Sequence, residues 1–137
     1  HQLNSQQISV ADALTKSGDV DLIIGHHAHV VQPIEKVNGV WVMYGMGNVL
    51  SNLPTDERWP ASSQDAGVFT ITMRRSTAGK VSFDSPVVHP TWVDKDNHWV
   101  IRNINENLRS KTPGINANEL EQSLRRTTRV LGEFITP

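Results

Sequence analysis

A layered α/β sheet is the fold class that this sequence predicts, and three observations predict it. A short helical stripe stops at Gly18, and an apolar run, Leu22-Ile23-Ile24, follows almost at once. That run does not alternate, which suits a strand covered on both faces, as in sheets flanked by helices. From Gly67 onward the apolar pattern changes to a period of two, the mark of antiparallel strands with one covered face. The expectation is therefore a mixed sheet, α/β with an antiparallel α+β part. At 137 residues the chain fits one domain or a large piece of one.

Each element has its own signal. Asn4 followed by Gln7 predicts a capping box, in which each side chain satisfies the other residue's free backbone N–H. Ile8, Ala11 and Leu14, with Val10 beside them, give the helical stripe, and Gly18 gives the stop. Asp19 to Ile24 follows as a strand. Pro33 lacks a backbone N–H, so the next extended segment is an edge or irregular strand. Asn38-Gly39 between apolar flanks predicts a type I′ hairpin, whose two central residues need positive φ. Residues 51–66 turn polar, with Pro54 and Pro60, and read as a surface loop.

Val68, Thr70 and Thr72 then alternate with Phe69, Ile71 and Met73. Ala78-Gly79 turns the chain into a strand from Lys80 to Ser85, and Asp94 to Asn97 turns it between Val87–Val93 and His98–Ile104. Trp92 and Trp99 on these strands are expected in or beside the core. Residues 105–115 read as a polar connector. Asn116 with Glu119 caps a last helix, with Leu120, Leu124, Thr127 and Leu131 on one side. Arg125, Arg126 and Arg129 on the other side are expected to be solvated.

Composition narrows the classes. The hydrophobic fraction of 37% and negative mean hydropathy describe a soluble chain that can still bury a core, roughly 68% of its unfolded surface at this size. A net charge of −1 lacks the basic excess of a nucleic-acid binder. No apolar run reaches the ~18 residues of a membrane span. Cysteine is absent, which removes thiolate metal sites, disulfides and cysteine nucleophiles together. The chain opens on His1-Gln2-Leu3 without an initiating Met, so an expressed fragment or a processed product is expected.

The chemistry-bearing stretch is Gly25-His26-His27-Ala28-His29, directly after the apolar strand. In an extended chain residues i and i+2 share a side, so His27 and His29 are expected to converge while His26 points away. The carboxyl end of a strand in an α/β sheet is a common place for a ligand. Neutral imidazoles suit zinc, iron, manganese or nickel. The plainer reading is a pair of loop histidines that only hydrogen-bond, since a two-residue pattern recurs by chance. Two histidines do not complete a site. Glu35, Asn48, Asp56, Asp65, His89 and His98 are further donors, in no pattern that demands a metal. Gly45-Met46-Gly47-Asn48 is the second feature: its glycines allow close approach of backbone to an anion, and Asn48 can hydrogen-bond a substrate or a ligand.

Taken together, Gly25-x-His27-x-His29-Val30-x-Gln32-Pro33-Ile34-Glu35 and Tyr44-x-x-Gly47-Asn48 resemble the CapA-type bacterial capsule synthesis proteins. These are associated with poly-γ-glutamate capsules and belong to the calcineurin-like metallophosphoesterase superfamily. The resemblance covers residues 7–50. It implies a four-layer α/β/β/α sandwich, of which residues 1–137 would be an incomplete C-terminal portion within one larger domain. It also implies that His27 and His29 belong to a catalytic site of two divalent metal ions, as metal ligands. His26 falls at a variable position and receives no role, and Asn48 is a candidate substrate-binding residue. The family's upstream Asp-x-His, Gly-Asp, Gly-Asn-His and Trp-Gly-x-Glu blocks do not occur here, so the chain alone is expected to hold part of a site and to be inactive.

The function expected from the resemblance is a part in capsule polymer synthesis, with a phosphoesterase-like hydrolase site and an anionic polymer or phosphate-containing substrate. The cell envelope, on its extracellular face and in a membrane-anchored parent, is the location it implies. A non-enzymatic scaffold for an anionic envelope polymer or partner is the alternative, and a metal domain completed by dimerisation is a third reading. Strand edges left open by a missing layer predict self-association.

Overall fold

The computed structural model describes residues 1–54, 56 and 58–136. Thr55 and Glu57, inside the loop expected at residues 51–66, and Pro137 lie outside the described residues.

Helix α1 (Ser5–Ser17) begins with the predicted reciprocal cap: the Asn4 side chain accepts from the Gln7 N–H at 2.8 Å, and the Gln7 side chain accepts from the Asn4 N–H at 3.0 Å. It ends at Gly18 with φ 79°, a left-handed stop that only glycine adopts freely. The side it buries differs from the predicted stripe. Ala11 and Thr15 are the buried positions, whereas Ile8, Val10 and Leu14 are 51%, 50% and 42% exposed. Small residues face the sheet because α1 lies close to it, and the large apolar residues face outward.

Strand β1 (Leu22–Ile24) pairs in parallel with β3 (Val40–Met43), which pairs antiparallel with β2 (Ile34–Val37), so the order is β1-β3-β2. The parallel pair supports the α/β reading, and Pro33 introduces an edge strand as expected. Asn38 and Gly39, at φ 48° and 86°, make the tight turn between β2 and β3. Strand β1 is shorter than predicted and is not covered on both faces, since Ile24 is 57% exposed. Its position at the sheet edge explains this: no strand or helix described here lies beyond it.

The second sheet has the order β4-β7-β8, all antiparallel, from β4 (Asp65–Thr70), β7 (Val87–Asp94) and β8 (Val100–Asn103). A small hairpin, β5 (Met73–Arg75) with β6 (Val81–Phe83), projects from it, closed by the turn that holds Gly79. Trp92 is buried and Trp99, in the turn before β8, is half-exposed. Two expectations change here. Residues 51–66 are not wholly a surface loop: a 3₁₀ turn (Ala61–Gln64) buries Ser62 and Ser63, and β4 begins inside the segment with Asp65 and Ala66 buried. The connector predicted at residues 105–115 starts as helix α2 (Ile104–Ser110), capped by the Asn103 side chain, which accepts from the Glu106 N–H at 3.1 Å.

Helix α3 (Ala117–Leu131) carries the predicted cap, with the Asn116 side chain accepting from the Glu119 N–H, and buries Leu120, Thr127 and Leu131. Its arginines divide. Arg125 pairs with Glu121 one turn back on the surface. Arg126 is not solvated as expected: it reaches into the protein and grips Asp65. The two sheets share one core, in which Ile34 and Met43 of the first, with Val31 just before β2, meet Val88 of the second and Leu131 of α3. Among the described residues no helix is long and apolar enough to cross a membrane.

The open edge of β1 keeps its unpaired backbone groups beside exposed Ile24, a template for pairing with another strand. Light scattering over a concentration series is expected to show the mass of the chain rising above that of a monomer. A constant monomer mass up to high concentration would refute association.

Candidate metal centre

The site grows from the way β1 ends. The Gly25 N–H donates to the Met43 carbonyl at 2.6 Å, and a side chain at Gly25 would collide with the Tyr44 carbonyl. Only glycine fits where the chain leaves the sheet so close to β3. The histidine loop follows, and it is not extended. His27 and His29 have φ of 87° and 58°, in the left-handed region that non-glycine residues seldom occupy. Their imidazoles come near each other by this curled route and not by strand alternation. The ring centroids stand 6.1 Å apart and the planes are tilted by 44°. Both residues are exposed. His26 is occupied with the backbone, its Nδ1 accepting from the His27 N–H at 2.7 Å.

The loop is anchored on both sides. On the α1 side, buried Gln32 accepts from Gln7 Nε2 at 2.8 Å and donates to the Gln2 carbonyl at 3.2 Å. Gly45 packs against Gln32 and the Val30 carbonyl, each 3.0 Å from where a Cβ would stand, so an added side chain would have to push them aside. On the other side the segment 44–48 joins the two sheets. Gln32 N–H donates to the Gly45 carbonyl at 3.0 Å, and Gly67 N–H donates to the Met46 carbonyl at 3.1 Å. Tyr44 is buried, and burial first, with the nearby Glu35 charge second, pushes its hydroxyl pKa up, so it stays neutral.

Asn48, at the end of this segment, is the residue that touches the loop. Its Nδ2 donates to the His29 carbonyl at 3.1 Å and to the Ser63 carbonyl at 2.8 Å, and its Oδ1 lies 2.9 Å from His29 Nδ1. The Trp59 and His29 rings meet nearly at right angles, with centroids 5.9 Å apart. The structure thus brings together all three residues singled out in the sequence, His27, His29 and Asn48. Trp59 and Ser63 were not singled out. An aromatic residue beside Pro60 in a polar stretch was the available signal for Trp59, whereas Ser63 contributes only its carbonyl and left none.

By chemistry the two imidazoles suit part of a divalent-metal site. A tetrahedral ion at about 2.1 Å from each ring nitrogen would hold two imidazole centroids roughly 5.3 Å apart, so these rings, at 6.1 Å, would have to draw closer to share one ion. His29 also has the hydrogen bond from its other nitrogen that oriented metal-binding histidines use. Among the described residues no group of three or more histidine, aspartate or glutamate side chains is placed to hold an ion. Asp65 is committed elsewhere. It is fully buried, accepts from Ser123 Oγ at 2.6 Å and receives two bonds from Arg126 at 2.6 and 2.7 Å. The Asp65 carboxylate holds the Arg126 pKa above its ordinary value. His89 lies on β7 near the Thr136 hydroxyl, and His98 lies in the turn before β8.

Residues 1–53, which include the histidine loop and Asn48, match the family model described as bacterial capsule synthesis protein PGA_cap. The PGA biosynthesis protein CapA of Bacillus subtilis (strain 168) is 30% identical over 96 residues, an alignment covering 68% of this chain and 24% of that protein. The chain therefore spans about a quarter of the length of the curated relative it matches. No solved structure matches it. A capsule synthesis family points to the cell envelope as the place of action. On these two matches the chain is CapA-like, a relative of the bacterial capsule synthesis proteins.

Proposed function

We propose that this chain supplies the two-histidine part of a metal-dependent, phosphoesterase-like centre in a protein of poly-γ-glutamate capsule synthesis. The observation that carries the reading is the pairing of His27 and His29, both exposed, with His29 braced by Asn48. Divalent ions, two in the complete site, would supply Lewis-acid polarisation of a phosphoryl oxygen and a water acidic enough to act near neutral pH. The chain's own residues hold and orient. His27 and His29 present imidazole nitrogens, Asn48 braces one ring, and Trp59 walls off its side. The remaining ligands come from other parts of a complete site. An anionic polymer or phosphate-bearing substrate fits such a centre, and the extracellular face of the envelope is where a capsule polymer would be met.

Calorimetric titration with Zn2+ or Mn2+ tests the metal part. Replacing both histidines, His27→Ala with His29→Ala, is expected to weaken binding by at least tenfold while the melting temperature stays close to that of the original chain, because both side chains are exposed. Undiminished affinity in the double variant would overturn the assignment. A chain that binds no divalent ion at all would favour instead a non-enzymatic scaffold for an anionic envelope polymer.

A further inference from the structure

We infer that Asn48 is a positioning residue that holds His29 in the Nδ1–H tautomer, leaving Nε2 as the nitrogen with a free lone pair. The inference deepens the metal-centre reading and rests on it for its purpose, but its geometry stands independently. The two ends of the Asn48 amide differ: Nδ2 has two protons to donate and Oδ1 can only accept. Nδ2 faces two backbone carbonyls, of His29 and of Ser63, at 3.1 and 2.8 Å. Carbonyls only accept, so this end of the amide must be the nitrogen. A flipped amide would set its oxygen against both. Oδ1 is therefore fixed opposite His29 Nδ1 at 2.9 Å, and an oxygen that only accepts requires a proton on that ring nitrogen.

The anchor is rigid as well as correctly oriented. Asn48 is only 8% exposed, and its own N–H donates to the Asp65 carbonyl at 3.4 Å, so it is tied to β4. The Trp59 ring packs perpendicular to the His29 ring and opposes its turning over. A neutral imidazole has one protonated nitrogen, so the Nδ1–H form leaves Nε2 unprotonated and suited to a divalent ion. The buried amide thus selects which atom of an exposed histidine does chemistry. One hydrogen bond gained and one lone-pair repulsion avoided favour this tautomer by on the order of tenfold.

The test is nitrogen–proton long-range correlation NMR of the histidine rings in the metal-free, isotopically labelled chain. The pH is set about two units above the ordinary histidine pKa, where rings are neutral. His29 is assigned by the signals that disappear in His29→Gln. The expected result is a protonated Nδ1 and unprotonated Nε2 for His29. Asn48→Ala is expected to abolish the preference. A wild-type His29 in the Nε2–H form overturns the inference, even if Asn48→Ala fails to fold. So does a folded Asn48→Ala with an unchanged tautomer. Titration of the same sample with Zn2+ separates the two claims. The Nδ1–H form without zinc binding leaves the positioning role standing and the metal reading refuted, and zinc binding by an Nε2–H His29 does the reverse.

Discussion

Replacing Asp65 by alanine is expected to cost about 3–5 kcal/mol, the largest loss of any single side-chain truncation at the site's foundations. The carboxylate is fully buried and takes three hydrogen bonds, two from Arg126 and one from Ser123. Removing it strands a guanidinium that is itself three-quarters buried, with a side chain 25% exposed. The uncompensated charge, more than the lost attraction, sets the cost. The damage reaches the site because the Asp65 carbonyl accepts from the Asn48 N–H, and Ser63, two residues back, accepts from Asn48 Nδ2. Urea denaturation of Asp65→Ala measures the loss. Arg126→Ala should also destabilise strongly, and the double variant should lose less than the sum of the two, since neither charge is then left alone. A loss below 1 kcal/mol for Asp65→Ala would show that the pair does not hold α3 to β4.

Gly47→Ala is expected to be nearly as damaging and to act directly on Asn48. Gly47 has φ of 76°, where a Cβ costs about 1–2 kcal/mol by itself. The added carbon would also overlap the Asp65 carbonyl oxygen and lie 2.9 Å from Ala66 Cα, both backbone atoms of a buried strand. Neither can rotate away as a flexible side chain would, so the segment 44–48 must shift from β4. The expected result is a loss of more than 2 kcal/mol together with displaced His29 and Asn48 resonances. Gly39→Ala is the comparison: its φ is similarly positive, at 86°, but nothing lies within 4 Å of the added carbon. If both variants lost the same stability, conformation alone would account for the effect and the close approach to β4 would be irrelevant.

What the sequence revealed and what it concealed divide by distance along the chain. Caps and turns are local chemistry. Asn4 with Gln7, Gly18, Asn38-Gly39 and Asn116 with Glu119 each act within a few residues, and each is found as read. Helix α2 is legible by the same rule, since Asn103 and Glu106 repeat the cap spacing used at α3. The Asp65–Arg126 pair could not be read, because 61 residues separate its members and only the packing of α3 on β4 makes them neighbours. Exposure of Ile24 belongs to the same class: an apolar run records what a strand can be buried against, not whether a covering element lies there.

The candidate site was half legible. The residues the sequence singles out, His27, His29 and Asn48, lie together in the structure, but for a different geometric reason. Alternation along an extended strand was expected. Left-handed backbone at both histidines bends the loop so that the rings meet, and anchors at Gln32 and Asn48 hold that bend. Such conformations cost about 1–3 kcal/mol each and persist only where surrounding contacts impose them. Residue type carries no record of that, since histidine serves either backbone region.

On the proposed function, His27 and His29 are ligands in one divalent-metal site. Paramagnetic broadening of the histidine ring signals during a Mn2+ titration tests it most directly, because even weak binding by an incomplete ligand set is visible residue by residue. The predicted result is that His27 and His29 broaden first and in parallel, ahead of His89 and His98, while His26 and His1, which line the same cavity as His27, broaden with them. Uniform broadening of all six histidines, or broadening of His29 without His27, would contradict the paired site.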